Sequence, residues 1–273
     1  MKIKQSIFLF FLFIILQNVC SQEILPISII EKEISIWEYR MVGDSIWKPA
    51  KVPGTVIGNL VDLSDNSNLL HPYYGDNEKL YQWVAEKDWE FRTNFELDSI
   101  LYKGCHFELL FEQLDLFADI YINNELHCSS NNSFSPLICH VGNLPLSKPI
   151  ELRILFHSTP DSLKILEQNN LLKLPGGERV FARKPQYEFG WDWAPRFINM
   201  GIRKSVKLKI YPPKSVNLFV QVVNKKTDDK FSGFRVKVSL ENPYAEYNEN
   251  KFVEIGPLQL SLAVLQNGEM IHQ

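Results

Sequence analysis

One short segment concentrates the side chains that could do chemistry. Residues 183–201 read RKPQYEFGWDWAPRFINMG, and within them Asp192 stands between Trp191 and Trp193. An indole can stack on the apolar C–H face of a sugar, and a carboxylate can bind sugar hydroxyls through charge-assisted hydrogen bonds. In an extended strand Asp192 would point away from the two indoles, whereas at a turn all three side chains could converge. The segment therefore indicates a carbohydrate-binding site.

A structural role is the alternative for the same three residues. Tryptophans are usually largely buried, and a buried carboxylate usually has a structural partner, for which Arg183 and Arg196 are candidates. The tryptophans would then belong to a core, and Asp192 would cap a turn. Residue chemistry alone favours this alternative slightly, so the exposure of the three side chains is the deciding observation.

Other reactive residue types form no recognisable site. The six histidines lie at no metal-ligand spacing, the glycines form no phosphate-binding loop, and no Gly-x-Ser-x-Gly motif is present. Glu188 and Asp192 are candidates for acid–base chemistry, but nothing in the sequence marks either as a buried acid. We therefore predict no metal, no cofactor and no catalytic residue in this chain.

Composition limits the class of protein. The chain has 273 residues, 45% of them hydrophobic, which suits one or two globular domains. A formal net charge of −3, without any basic cluster, predicts no binding of nucleic acid.

Alternation of apolar and polar residues predicts β-strands with one buried face. The clearest runs lie at residues 89–97, 107–111, 118–122, 152–156 and 206–210. Asn123-Asn124 tolerate positive φ and predict a tight hairpin turn. Many short strands of this kind are typical of an all-β sandwich or jelly roll.

One helix is predicted near residues 160–168, because Thr159-Pro160-Asp161 supplies an N-cap, a proline at the first helical position and an acid in the first turn. The connection from His157 to Gly190 is long for a sandwich, and long connections are often functional. Pro212-Pro213 marks a domain boundary, because a proline pair ends a strand and favours an extended linker.

The N-terminus has the three parts of a secretory signal peptide. Lys2 and Lys4 precede an apolar run at residues 7–16, and small residues offer a cleavage site after Ser21. The run is about half the roughly 20 residues that a membrane span needs. We therefore predict removal of residues 1–21 rather than a retained membrane anchor.

Secretion would place Cys105, Cys128 and Cys139 in an oxidising compartment. Three is an odd number, so at least one cysteine is free or pairs outside the chain, and the spacing leaves the pairing open. Asn131 begins a glycosylation sequon between two predicted strands, which a eukaryotic secretory pathway would use.

Four stretches resemble the β-mannosidases of the glycoside hydrolase clan that also contains β-galactosidase and β-glucuronidase. Residues 183–201 are the most specific of them, although Ala194 stands where the family usually has glycine. The other three, in the family's order, are residues 47–56 (WKPAKVPGTV), 72–78 (PYYGDNE) followed by 89–91 (WEF), and 114–123 (LDLFADIYIN).

The resemblance implies a galactose-binding-like jelly roll over residues 22–211 and the start of an immunoglobulin-like β-sandwich over residues 212–273. In the family a TIM barrel follows, and its two glutamates hydrolyse terminal β-mannosides with retention. The N-terminal domain reaches over the barrel mouth, where Trp191 and Asp192, next to Trp193, would help to bind the terminal mannose. Nothing in residues 212–273 resembles the barrel, so we expect a truncated chain that is not catalytic alone.

Three interpretations remain open at this point. The first is the N-terminal part of a secreted or lysosomal β-mannosidase, with exo-glucosaminidases as near relatives. The others are a free-standing carbohydrate-binding module and a structural β-sandwich without a ligand. The expected partners are β-mannose-terminated oligosaccharides or glycan fragments of glycoproteins, with no membrane association after signal removal. We expect a lysosomal or extracellular location in a eukaryote, and a periplasmic or extracellular one in a bacterium.

Overall fold

The computed structural model describes residues 12–18, 29–62, 71–146, 148–212, 217–228, 231–241, 258–266 and 269–272. The chain divides into two compact units, Ile29–Pro213 and a second one formed by Met1–Ser28 with Lys214–Gln273. The strands in chain order are β1 (Leu12–Asn18), β2 (Ile30–Glu33), β3 (Trp37–Met41), β4 (Lys48–Ala50), β5 (Trp89–Phe95), β6 (His106–Phe111), β7 (Leu114–Asp115), β8 (Ala118–Ile122), β9 (Glu125–Ser130), β10 (Leu137–Gly142), β11 (Ile150–Phe156), β12 (Gly201–Ile202), β13 (Val206–Tyr211), β14 (Asn217–Asp228), β15 (Phe231–Glu241), β16 (Leu258–Gln266) and β17 (Glu269–His272).

The unit Ile29–Pro213 is a β-sandwich, which confirms the predicted all-β fold class. A six-stranded antiparallel sheet, in the order β4-β3-β5-β11-β8-β9, packs with a four-stranded sheet in the order β10-β6-β13-β2. Ile154 on β11 lies opposite Phe91 on one side and Ile120 on the other, and all three are fully buried. Period-two alternation produces this face, because successive side chains of a strand point to opposite sides of the sheet.

A disulfide joins the edges of the two sheets. Cys128 on β9 is bonded to Cys139 on β10, and Cys105 is a free, buried thiol. Burial raises the pKa of Cys105. The unpaired cysteine therefore behaves as a small core residue rather than as a reactive group.

Reduction of this disulfide is expected to lower the free energy of unfolding by about 3 kcal/mol, because the bond closes a loop of 11 residues in the unfolded chain. The urea midpoint of a Cys128→Ser/Cys139→Ser variant measures the loss, and Cys105→Ser serves as the thiol control that leaves the loop closed. An unchanged midpoint in the double variant would contradict the expectation.

The predicted helix is present as α2 (Thr159–Gln168), but its N-cap is Ser158, whose Oγ accepts a hydrogen bond from the Asp161 amide at 3.3 Å. The prediction of only one helix was wrong. A second α-helix, α1, spans Val56–Asp62, and 3₁₀ helices span Asn77–Glu86, Gly177–Phe181 and Gln186–Phe189. These elements are short and depend on tertiary contacts, which periodicity does not report.

The turn after β8 has the predicted form. Asn123 and Asn124 have φ values of 48° and 69°, and β8 and β9 pair directly across them. Asn123 Oδ1 also accepts a hydrogen bond from the Glu151 amide on β11 at 2.9 Å, which ties the turn to the neighbouring strand.

The second unit contains two antiparallel sheets, β14-β15 and β1-β16-β17. In the uncleaved chain β1, part of the predicted signal peptide, pairs with β16, with Leu16 opposite Leu260. The predicted cleavage site after Ser21 lies outside the described residues, and so does the stretch 22–28. Among the residues described, no helix is long and apolar enough to cross a membrane.

Candidate functional site

The Trp-Asp-Trp segment forms a two-residue turn. The Trp191 amide donates to the Ala194 carbonyl at 3.0 Å, and the Ala194 amide donates to the Trp191 carbonyl at 3.1 Å. Asp192 and Trp193 are thereby left at the tip. Gly190, with φ at 95°, supplies the left-handed backbone that leads into the turn, whereas Ala194 does not have a positive φ and accommodates its methyl group. We call residues 191–194 the sugar turn, after the ligand class that the sequence predicts for them.

All three predicted site residues are exposed. Trp191 is 51% and Trp193 74% exposed, and Asp192 is exposed as well. Within the part of the chain that the structure describes, the Asp192 carboxylate forms no hydrogen bond or ion pair. The alternative of a buried structural segment required the opposite, so the exposure does not support it.

Neither of the two arginines considered as partners of Asp192 forms an ion pair with it in the part of the chain that the structure describes. Arg196 Nη1 donates to Gln82 Oε1 at 2.6 Å, and the side chain of Gln82 donates back to the Arg196 carbonyl at 2.8 Å. Arg183 is exposed, and its carbonyl accepts hydrogen bonds from Ser133. The interpretation of either arginine as the partner of Asp192 was wrong.

An aromatic neighbour extends the face of the sugar turn. The ring centroid of Tyr187 lies 6.1 Å from that of Trp193, with 34° between the ring planes, and Tyr187 is 47% exposed. The two rings form an apolar surface beside a carboxylate that faces water. This combination can stack on a sugar ring and bind its hydroxyls at the same time.

A buried ionic cluster lies beneath the turn. Lys184 Nζ is 2.9 Å from Asp115 Oδ1 and 2.9 Å from Glu188 Oε2, and the side chains of all three residues are at most 4% exposed. Arg203 lies farther off, with Nη1 at 3.7 Å from Asp115 and 3.8 Å from Glu188. The contact with Asp115 is an ion pair without hydrogen-bond geometry. Burial raises the pKa of Asp115, although the charge of Lys184 opposes that shift.

The same cluster joins the two stems of the turn. Lys184 Nζ donates to the Asn199 carbonyl at 2.6 Å, and the Asn199 amide donates to Glu188 Oε2 at 3.1 Å. Residues 184–199 thus form a loop that is closed at its base, with the sugar turn at its tip. We call the contacts between Lys184, Glu188 and Asn199 the neck.

Glu188 is therefore a buried acid, a property that the sequence did not mark. Its carboxylate is held by Lys184 and by the Asn199 amide, so it is not free to act as an acid or a base toward a ligand. Sequence reasoning also missed Lys184, Asp115 and Gln82. The four-residue spacing of Lys184 and Glu188 was the only local signal of a pair, since Asp115 and Gln82 come from distant segments.

A cavity of about 350 Å³ in the same unit is lined by residues of α1, by His71 and Tyr73, and by Phe197, Asn199 and Arg203. No residue of the sugar turn lines it, so the predicted site is an exposed projection rather than an enclosed pocket. Among the described residues, no group of three or more histidine, cysteine or acidic side chains could hold a metal ion.

The predicted glycosylation sequon lies outside the sugar turn. Asn131 is exposed and follows β9, inside the loop that the disulfide closes. Ser133 of the sequon is buried, and its Oγ donates to the Arg183 carbonyl at 3.2 Å.

Comparison with known proteins agrees with this architecture. Residues 37–204 match the family model described as glycosyl hydrolase 2 galactose-binding domain-like. Similar proteins include β-mannosidase B of Thermothelomyces thermophilus, 31% identical over 194 residues (68% of this chain, 22% of that protein), and β-mannosidase B of Aspergillus niger, 30% identical over 182 residues (64% and 21%). The crystal structure of a β-D-mannosidase from Dictyoglomus thermophilum superposes with a TM-score of 0.66 at 26% identity, over 89% of this chain and 35% of that one.

The chain spans about a fifth of the length of the curated relatives it matches. The family match covers more than half of the chain, including every element from β3 to β12 and the whole sugar turn. This chain belongs to the glycosyl hydrolase 2 galactose-binding domain-like family.

Proposed function

We propose that this chain is the N-terminal, sugar-binding part of a β-mannosidase that removes terminal non-reducing β-D-mannose with retention. One observation carries the proposal: Asp192, whose carboxylate has no partner among the described residues, stands between two exposed indoles at the tip of a turn whose stems are both fixed. Exposing two tryptophans costs hydrophobic free energy, so their exposure favours a surface that is covered when a ligand or a neighbouring domain binds.

Trp191, Asp192 and Trp193 have separate roles in this proposal. The indoles stack on the C–H face of the mannose ring, and Asp192 accepts hydrogen bonds from its hydroxyls. Hydrolysis itself needs a nucleophile and a general acid on carboxyl groups about 5 Å apart. In the proposed enzyme the barrel of the family supplies both, and the expected substrates are β-mannose-terminated oligosaccharides or glycan fragments of glycoproteins.

A titration of the chain with methyl β-D-mannopyranoside tests the sugar-binding role. The indole N–H resonances of Trp191 and Trp193 are expected to shift with a Kd of about 1 mM or weaker, because one stacked face and a few exposed hydrogen bonds leave little free energy after ordering costs.

The Asp192→Ala variant should abolish these shifts. Asp44→Ala is the matched control, since it removes an exposed carboxylate from the connection between β3 and β4. Shifts of equal size in wild type and Asp192→Ala would overturn the assignment of Asp192.

We further propose that the chain enters the secretory pathway. The apolar run at residues 7–16, the disulfide Cys128–Cys139 and the exposed sequon at Asn131 support this location. Protein recovered from the medium of expressing eukaryotic cells should begin near Gln22 and lose mass when treated with an N-glycosidase. Retention of Met1 in a membrane fraction would contradict the proposal.

A further inference from the structure

The neck is the only place where the two stems of the sugar turn are joined by charged side chains, among the residues the structure describes. Lys184 and Asn199 are 15 residues apart in the chain, and the ammonium group of Lys184 meets the Asn199 carbonyl at 2.6 Å. Glu188 binds the amide of the same residue, so both backbone groups of Asn199 are used. The neck thereby fixes where the loop starts and where it ends.

We propose that Lys184 is a positioning residue that holds the sugar turn in the orientation needed to bind sugar, by closing the neck beneath it. The inference rests on the proposed sugar-binding role of the turn. Because Lys184 itself is fully buried, it would act on the turn through Glu188 and Asn199.

The charges make this closure specific to an ammonium group. Lys184 is the only cation directly between Asp115 and Glu188 in the described part of the chain, since Arg203 stays at 3.7–3.8 Å from both. An ammonium group offers three donors around one charge and can meet two carboxylates and a carbonyl together. An apolar residue of similar length would fill the space but leave only the more distant Arg203 to compensate the charges of two buried carboxylates.

The path from the neck to the turn is short. Glu188 lies in the 3₁₀ helix Gln186–Phe189, and the Gly190 amide that follows donates to the Tyr187 carbonyl at 3.0 Å. Trp191 is the next residue. The second stem ends at Asn199, and Gly201 of β12 follows two residues later. Gly201 pairs with Asp115 of β7. Asp115 therefore connects the neck to the sandwich through Lys184, and Glu188 connects Lys184 to the residues that lead into the turn.

Hydrogen–deuterium exchange tests the proposal on the 273-residue chain with Lys184→Met. The amides of Trp191 and Ala194, which close the sugar turn, are expected to exchange at least about tenfold faster through local opening. Amides of β5 and β11 exchange only when the whole sandwich unfolds, so their rates report the separate loss of global stability. Lys164→Met is the matched control, because Lys164 is exposed and pairs with Asp161 on α2. It should leave exchange in the turn unchanged.

A second variant decides the matter if Lys184→Met does not fold. Glu188→Gln keeps an oxygen acceptor for the Asn199 amide and leaves the Lys184–Asp115 pair neutral. It removes the ion pair between Lys184 and Glu188, and it weakens the hydrogen bond from Asn199, which is no longer charge-assisted. In Glu188→Gln we expect exchange in the turn to rise several-fold more than exchange in β5 and β11, because the turn opens locally. Wild-type rates in the turn, or a parallel rise over the whole sandwich in Glu188→Gln, would overturn the proposal.

The sugar titration gives an independent second arm. If the turn binds methyl β-D-mannopyranoside, Glu188→Gln should raise the Kd measured from the indole shifts at least about threefold, although Asp192 is intact. Undiminished binding in a variant with a loosened turn would overturn the positioning role. If the wild-type chain binds no sugar, the proposed function fails, and the positioning role for sugar fails with it. If the wild-type chain binds sugar but Glu188→Gln leaves turn exchange and sugar binding unchanged, only the positioning role of the neck is refuted.

Discussion

The purified 273-residue chain is expected to release no aglycone from an aryl β-mannoside above the uncatalysed rate. A retaining glycosidase needs two carboxyl groups about 5 Å apart, one to attack the anomeric carbon and one to protonate the leaving oxygen. At the sugar turn only Asp192 presents a free carboxylate. Glu188, its closest acidic neighbour in the chain, is buried and bound to Lys184 and to the Asn199 amide.

The matched comparison is the same polypeptide continued into the barrel of a glycosyl hydrolase 2 β-mannosidase. That protein should turn over the aryl β-mannoside, and changing its nucleophile glutamate to glutamine should return it to the rate of the chain alone. Turnover by the 273-residue chain that survives purification and depends on Asp192 would contradict this account.

Replacement of Lys184 by methionine is expected to lower the free energy of unfolding by about 3–5 kcal/mol. The loss comes less from the missing contacts than from Asp115 and Glu188, which stay buried without their common cation. Arg203, whose Nη1 is 3.7 Å from Asp115 and 3.8 Å from Glu188, remains as a more distant cation and offsets only part of the loss. Urea denaturation followed by tryptophan fluorescence measures the difference.

Lys164→Met is the control for this change, because it removes an exposed lysine that pairs with Asp161. Exposed pairs of this kind contribute about 0–1 kcal/mol, so the two lysine variants should differ clearly. A triple variant, Lys184→Met with Asp115→Asn and Glu188→Gln, should recover part of the loss, since the uncompensated charges are then gone. Equal stabilities of Lys184→Met and Lys164→Met would show that the cluster is not the source of the stability.

The sandwich could be predicted because the alternation of residues within each strand indicates which side chains are buried. In β11, residues such as Leu152, Ile154 and Phe156 alternate with Arg153 and Leu155, and the alternating face is the one that packs in the core. The hairpin at Asn123-Asn124 was also local, because those residue types tolerate the positive φ that the turn requires.

The support of the candidate site could not be predicted, because it depends on contacts between distant segments. Asp115 meets Lys184 only when β7 pairs with β12, and Gln82 meets Arg196 across 114 residues of chain. The disulfide likewise depends on how the fold brings two strands together. Three cysteines allow three pairings, and only the neighbouring edges of β9 and β10 select Cys128 with Cys139.

The exposure of the sugar turn could not be predicted either, because it also depends on contacts with distant segments. Tryptophan is usually buried, and the decision between core and surface depends on the stems that hold the turn outward. Polar side chains fix both stems: the neck joins one stem to the other, and Gln82 also holds the second stem at Arg196. The hydrophobic pattern does not record these contacts.

The most direct test of the central claim, that the sugar turn binds the terminal mannose, is kcat/KM for an aryl β-mannoside in the barrel-bearing polypeptide. Asp192→Ala should lower kcat/KM at least about tenfold, since a charge-assisted hydrogen bond contributes about 1.5–3 kcal/mol. Asp44→Ala, which removes an exposed carboxylate away from the turn, should keep the wild-type value. A correctly folded Asp192→Ala enzyme with wild-type kcat/KM would contradict the account and return the Trp-Asp-Trp segment to a structural role.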